Sequence, residues 1–428
     1  MSHSYICFLF YGPTIQKGEW VMLKIAISIL SVLLLTVPAA ADWKMSEFMI
    51  STWGTPPVAD DEEKAKALAD AHINVVKWDA DKINLCRKYG LKLMVMGATP
   101  EMASQLSDNP ALWGYYVIDE PEVDKFSGLA KQFKALHKAD PDHPAFINLL
   151  PRAGKYLQKF IEIIQPEIVS YDYYQWWNGC SETGHFEKLE QHREAALNAG
   201  IPLSCCVEIN TKPSAEGDPG WACDTTPPSD NAQKLRQSVY TSLAYGVKGI
   251  DWFPASHMYE GNSSKLNQCG KDVVAINTEL KLLGPILIKL RSVDVFHTPP
   301  FSCSTQKAPP DYWVHALGAV LVQGMFKDDE GNDFMMVANR NYQYGRKVIL
   351  RFQRPVKSVE KFNKQTGEWE PLAVTKEVSK DYSGVMLWAL AKLDLVWATY
   401  NVPVRWSGEP LFVEFIIKPG DGELLRLQ

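Results

Sequence analysis

From Phe48 to about Ser292, short apolar runs alternate with amphipathic stretches of helical period. Eight of the runs read as strands: FMISTWG from Phe48, INVVKWD from Ile73, LKLMVMG from Leu91, LWGYYVIDE from Leu112, AFINLL from Ala145, EIVSYDYY from Glu167, PLSCCVEI from Pro202 and GVKGIDWF from Gly246. Near-continuous apolar runs bounded by turn residues fit strands buried on both faces, as in a parallel sheet. Between them the periodicity predicts helices over 60–71, 124–138, 155–164, 186–198 and 231–245, and a last one over about 271–292. Asp60 and Asp124 stand where N-caps are wanted, and Gly90, Gly200 and Gly246 where a left-handed residue ends a helix. Eight βα units within about 250 residues have the size of a closed (β/α)₈ barrel. The alternative, a doubly wound open sheet, lacks a G-x-G-x-x-G after its first strand.

Beyond Pro299 the texture changes. Pro299, Pro300, Pro309 and Pro310 mark a linker, and strand-like runs succeed it without long helices: WVHALGAVLVQGMF from Trp313, DFMMVANR from Asp333, KVILRF from Lys347 and LFVEFIIK from Leu411. The reading is an α/β chain: a (β/α)₈ barrel over 42–298, then a small antiparallel β-sandwich over 299–428. The segment MLKIAISILSVLLLTVPAAA from Met22 has one lysine, a short apolar core and small residues Ala39 and Ala41, the pattern of a cleaved signal peptide. Residues 1–41 are therefore expected to be leader, with Met22 as the candidate start of translation, and the mature protein secreted or periplasmic without a membrane anchor.

A net charge of -6 without a Lys/Arg cluster gives no basic field for nucleic acid. Among the cysteines, Cys180, Cys223, Cys269 and Cys303 lie in turn-rich segments where bridges would pin loops, whereas Cys205 and Cys206 sit in an apolar run as buried thiols. No His/Cys spacing fits a metal site, no nucleotide-binding loop or G-x-S-x-G elbow occurs, and no cofactor is expected.

In such a barrel the chemistry sits at the C-terminal ends of the strands. That rule selects Glu120, closing the fourth strand in YYVIDEP, and Glu208, closing the seventh in SCCVEIN. Strand alternation places Gly114, Tyr116, Ile118 and Glu120 on one side, and Ser204, Cys206 and Glu208 on one side of the other strand, so both carboxyls aim over the mouth. Either alone reads equally well as a salt-bridging strand end; two at these places read as a catalytic pair. Around them, Trp53, Lys77, Asp79, Asp119, Asn148, Asp172, Tyr174, Trp176 and Trp252 stand at or near strand ends, where aromatic planes would pack on sugar C–H faces and polar groups would bind hydroxyls.

Glutamates closing strands four and seven of a (β/α)₈ barrel resemble the retaining glycoside hydrolases of clan A, which include β-galactosidases, β-mannanases and cellulases. The resemblance covers the barrel portion and rests on GYYVIDEP and the strand-seven glutamate. It implies Glu120 as acid/base, Glu208 as nucleophile, Trp252 as the floor of the sugar subsite, and Tyr174 or Tyr171 as a hydrogen-bond partner of the nucleophile. Many clan members carry Asn where this chain has Asp119, which departs from the pattern. The resemblance further implies a carbohydrate substrate cleaved by double displacement, with the carboxyls about 5–5.5 Å apart, against about 6.5–9.5 Å for inversion. Two other readings of the same fold are a non-catalytic carbohydrate-binding barrel, and a polysaccharide lyase or inverting hydrolase.

Overall fold

The computed structural model describes residues 43–177, 179–212, 228–302, 304–378 and 410–428. The leader over 1–41, most of the segment between Asn210 and Ser229, and Cys223 and Cys303 lie outside the described residues. The chain alternates β1 Met49–Thr52, α1 Asp61–Asp70, β2 Val75–Trp78, α2 Ile83–Lys88, β3 Lys92–Met96, α3 Pro100–Leu106, β4 Leu112–Asp119, α4 Phe126–Ala139, β5 Ala145–Asn148, α5 Lys155–Lys159, β6 Val169–Asp172, α6 Glu182–Ala199, β7 Leu203–Glu208, α7 Asn231–Ala244, β8 Gly249–Phe253 and α8 Gln268–Leu287. The eight strands form one parallel sheet in the order β5-β4-β3-β2-β1-β8-β7-β6. A bridge between Leu149 and Tyr171, with the Leu149 amide donating to the Ser170 carbonyl at 2.9 Å, joins β5 to β6 and closes the ring. This is the (β/α)₈ barrel that the alternation predicts.

Local signals explain most element ends. Asp60 accepts the Glu63 amide at 2.8 Å and caps α1, and Gly90, Gly200 and Gly246 take φ of 69°, 69° and 87° after their helices. Asp124 does not cap α4: it lies inside a 3₁₀ turn over Val123–Lys125, and the helix starts at Phe126. The apolar residues divide by strand parity. Met49, Val75, Met94, Trp113, Tyr116, Phe146 and Ile168 fill the inside of the barrel, while Leu203, Cys205, Val207, Ile250 and Trp252 pack outward under the helices.

The barrel passes into the β-domain ahead of Pro299. α8 ends at Leu287, and Arg291–His297, divided in the sequence pattern between that helix and the barrel, forms β9 of the C-terminal sheet. Then come β10 Val314–Leu317, β11 Leu321–Lys327, β12 Asp333–Asn339, β13 Arg346–Phe352, β14 Val359–Phe362, β15 Trp369–Leu372, β16 Val374–Thr375, β17 Leu411–Ile417 and β18 Gly422–Leu427. They build a six-stranded sheet, β15-β14-β18-β12-β11-β9, and a four-stranded one, β10-β13-β17-β16. The inner faces share a core of Met325, Val337, Val348, Leu350, Val413 and Leu425, as in a sandwich. The other face of the larger sheet joins the barrel's outer core through Val322, Phe326, Met336 and Leu424, so the barrel and sandwich share a hydrophobic layer.

Candidate active site

The C-terminal ends of β4, β6 and β8 bring together the carboxyl groups of Asp119, Glu120, Asp172 and Asp251. Regular alternation does not hold along β4: Trp113 and Tyr116 face inward, Tyr115 and Ile118 pack outward, and the pairing with β5 slips between Tyr116 and Ile118. The slip turns Asp119 inward, where it accepts from Asn148 Nδ2 at 3.2 Å. Glu120 then takes φ of 42°, a left-handed conformation that costs a non-glycine residue about 1–3 kcal/mol unless its surroundings hold it. They do so through the Glu120 amide, which donates to the Asn148 carbonyl at 2.9 Å, and through the Tyr156 hydroxyl, which donates to the Pro121 carbonyl at 2.9 Å. Strained backbone over-determined in this way gathers at functional sites.

Held so, the Glu120 carboxyl hydrogen-bonds that of Asp172 at the end of β6. Burial and the charge of Glu120 push the Asp172 carboxyl up to about 8. Burial and the charge of Asp119 raise Glu120 as well, while its bond from Asp172 pulls the other way. Both carboxyls are thus raised together, and at neutral pH the pair shares a proton. Asp119 is raised chiefly by burial.

Glu208 ends β7 on the inward parity of Ser204 and Cys206, as the alternation predicts. It is only 1% exposed, and its Oε1 accepts the Trp176 backbone amide at 2.9 Å. Burial pushes its carboxyl up to about 7, with the Trp176 amide opposing. The carboxyl in contact with Glu120 is thus that of Asp172 rather than Glu208.

The remaining residues named from sequence fall into four groups. Lys77, Asn148, Tyr174 and Trp53 reach the inside of the mouth. The Lys77 ammonium is buried, paired with Asp251 at 2.6 Å, bonded to Ser51 Oγ at 3.0 Å, and 4.8 Å from the Trp53 ring centre. Tyr174 stacks on Phe253 at 5.4 Å and lies 4.2 Å from Trp177. Asp79 stands exposed just after β2. Trp176 gives its backbone to Glu208, but its indole turns away to Ser238 Oγ at 3.1 Å and to the edge of Tyr342. Trp252 does not floor the site: it is 0% exposed, outside the sheet, with its indole N–H on Asn277 Oδ1 at 2.8 Å. Tyr171 likewise faces outward, stacked on His192 at 3.9 Å, and cannot hydrogen-bond Glu208.

Tyr116 lies on the inward face that the alternation assigns it, but two further mouth residues, Asp251 and Phe253, escape the sequence pattern. The same two-residue period that applies to strand seven places Gly249, Asp251 and Phe253 on one face of β8 and Trp252 on the other. The signal is present, and the attraction of a tryptophan outweighs it. Trp53 Nε1, the Tyr116 hydroxyl and Asp251 Oδ1 are buried without a hydrogen-bond partner among the described residues. The same residues present no cluster of His, Cys, Asp and Glu able to hold a metal ion, and no helix long and apolar enough to cross a membrane. Cys180, Cys205, Cys206 and Cys269 are free thiols, so the bridges thought possible for Cys180 and Cys269 are not formed there. Cys205 faces the outer core and Cys206 the inside, its thiol 3.5 Å from Asn148 Oδ1.

No protein-family model and no curated protein sequence matches the chain. Solved structures do. α-L-Fucosidase isoenzyme 2 from Paenibacillus thiaminolyticus aligns over 89% of this chain and 99% of its own at 7% identity, with a TM-score of 0.56. A putative α-galactosidase/melibiase from Bacteroides fragilis aligns over 89% and 79% at 11% identity and a TM-score of 0.47. A GH30 endoxylanase from Clostridium papyrosolvens aligns over 91% and 97% at 10% identity and a TM-score of 0.41. At these identities the likeness speaks for the fold, and of the three only the fucosidase aligns closely enough to support it.

Proposed function

We propose that the chain is a glycoside hydrolase working at the C-terminal mouth of its barrel, with Glu120 as acid/base and Glu208 as the nucleophile of a double displacement. The observation that carries this is the setting of the two glutamates. Glu208 ends β7 facing inward, Glu120 follows the last residue of β4 with its carboxyl on Asp172, and the same mouth holds buried polar atoms, without partners among the described residues, that a sugar's hydroxyls would satisfy. The shared architecture of an α-L-fucosidase agrees with it. Glu120 would draw the proton for the leaving oxygen from its bond with Asp172, and Lys77, Asn148 and Asp119 would bind hydroxyls. The leader-like segment over 22–41 suggests that the enzyme acts outside the cytoplasm.

A second reading is favoured by one contact. Because Asp172 shares a proton with Glu120 and is itself raised by burial, it would be the acid, with ionised Glu120 as its partner. Against this, carboxyls joined by a hydrogen bond stand closer than the roughly 5–5.5 Å at which a retaining pair flanks a glycosidic bond; they would have to part when substrate enters. Single variants decide between the two on an aryl glycoside found by a substrate screen. The first reading expects Glu208→Gln to lose about a thousandfold or more in kcat, and Asp172→Asn to keep most activity with a displaced pH profile. Abolished turnover in Asp172→Asn beside an active Glu208→Gln selects the second.

A further inference from the structure

The backbone that holds Glu208 is itself held from the β-domain. Trp176 lies in the short segment between β6 and α6; its amide donates to Glu208 Oε1 at 2.9 Å, and its indole is gripped on two sides. On the barrel side, Ser238 of α7 accepts both the indole N–H at 3.1 Å and Gln175 Nε2 at 2.7 Å. On the other side, the Tyr342 ring from the turn after β12 meets the indole at 5.1 Å and 83°, an edge-to-face contact. The Lys234 ammonium lies 5.2 Å from the Trp176 ring centre and 5.3 Å from that of Tyr342. The Tyr342 turn is anchored in turn: Arg340 pairs with Glu182 at the start of α6 at 3.0 Å, and its guanidinium donates to the Pro300 carbonyl at 2.9 Å.

We propose that Tyr342 of the β-domain is a positioning residue for the barrel's active site, fixing through Trp176 the amide that orients the Glu208 carboxylate. The proposal rests on the reading of Glu208 as nucleophile. The physical reason is that a nucleophile must be held within a few tenths of an ångström, and a rigid aromatic contact with a second domain supplies this to a segment that has little regular structure of its own. The sandwich is then part of the catalytic apparatus.

The test uses the full-length protein and the same aryl glycoside. Tyr342→Ala should lower kcat about tenfold to a hundredfold with little change in KM, and should move the acidic limb of the pH profile upward, because a weakened amide bond no longer favours the ionised carboxyl. Tyr342→Phe, which keeps the ring edge, should restore wild-type rate and profile. Among the described residues, the other titratable groups that feel Glu208 are Tyr174, Cys180 and Cys205, whereas Tyr342 meets Trp176 and Lys234, so the limb reports on Glu208. Glu208→Gln separates the two failures. If it stays active, the nucleophile assignment fails. If it is dead while Tyr342→Ala keeps the wild-type limb and rate, or only melts earlier, the positioning role fails.

Discussion

Lys77 and Asp251 form the ion pair at the base of the mouth, with side chains 3% and 0% exposed. A pair so buried gains little over an apolar replacement, but removing one member strands the other's charge. Asp251→Asn is therefore expected to cost about 3–5 kcal/mol in urea unfolding, well beyond the loss of one hydrogen bond; a cost under about 1 kcal/mol would mean that the ammonium finds another partner. Asp251 also marks the limit of sequence reading at this scale. Glu120 and Glu208 are legible because a charge interrupting an apolar strand end is costly without a purpose. The partnership of Glu120 with Asp172 is not, since it depends on a register slip in β4 and a left-handed residue that no local pattern announces.

At the scale of elements, all eight barrel strands are legible because parallel strands buried on both faces carry dense apolar runs. The short helices α2 and α3 escape notice, having too few turns to show a period. In the sandwich, Trp313 to Phe326 reads as one strand but forms two, β10 and β11, broken at Gly318 with φ of 90°. Strands β9, β14, β15, β16 and β18 do not stand out, because short or amphipathic strands resemble turns and helix ends in sequence. One element contact is severe enough to predict from. At Gly324 in β11 a Cβ would lie 2.0 Å from the Ala244 carbonyl oxygen at the end of α7. Gly324→Ala must push the sheet off the helix, and overpacking of this kind typically costs about 1–3 kcal/mol. A matching drop in the urea midpoint is expected; an unchanged midpoint would show that the sheet floats free of the helix.

For the whole molecule, a polar network reinforces the junction of barrel and sandwich. Arg236 of α7 meets Glu279 of α8 at 2.6 Å and Asp421 of the sandwich at 2.9 Å, and Lys364 reaches Asp421 at 2.6 Å. Burial alone would raise Asp421, but the charges of Lys364 and Arg236 hold it below its ordinary value, so this junction contributes stability above the unfolded carboxylate range and loses it as pH falls through the folded value. Glu208 and Asp172 act in the opposite sense. With folded values raised to about 7 and about 8, they contribute stability at low pH that is lost as pH rises through those values. Melting temperature should therefore be higher at pH 5.5 than at pH 8.5, and Glu208→Gln should flatten the difference. A melting temperature that climbs steadily from pH 5.5 to 8.5 would contradict the burial of these carboxyls in the folded protein.

At the centre of the proposed reaction, Glu208 at the end of β7 attacks the sugar. This attack is tested most directly by incubating the protein with a panel of activated 2-deoxy-2-fluoro glycosides, which form the glycosyl-enzyme quickly and release it slowly, and locating the added mass by peptide mapping. The expected result is one sugar per chain, on the peptide carrying Glu208, with labelling abolished in Glu208→Gln. A label on Asp172 or Glu120, or inversion at the anomeric carbon of a substrate that is turned over without labelling, would contradict it.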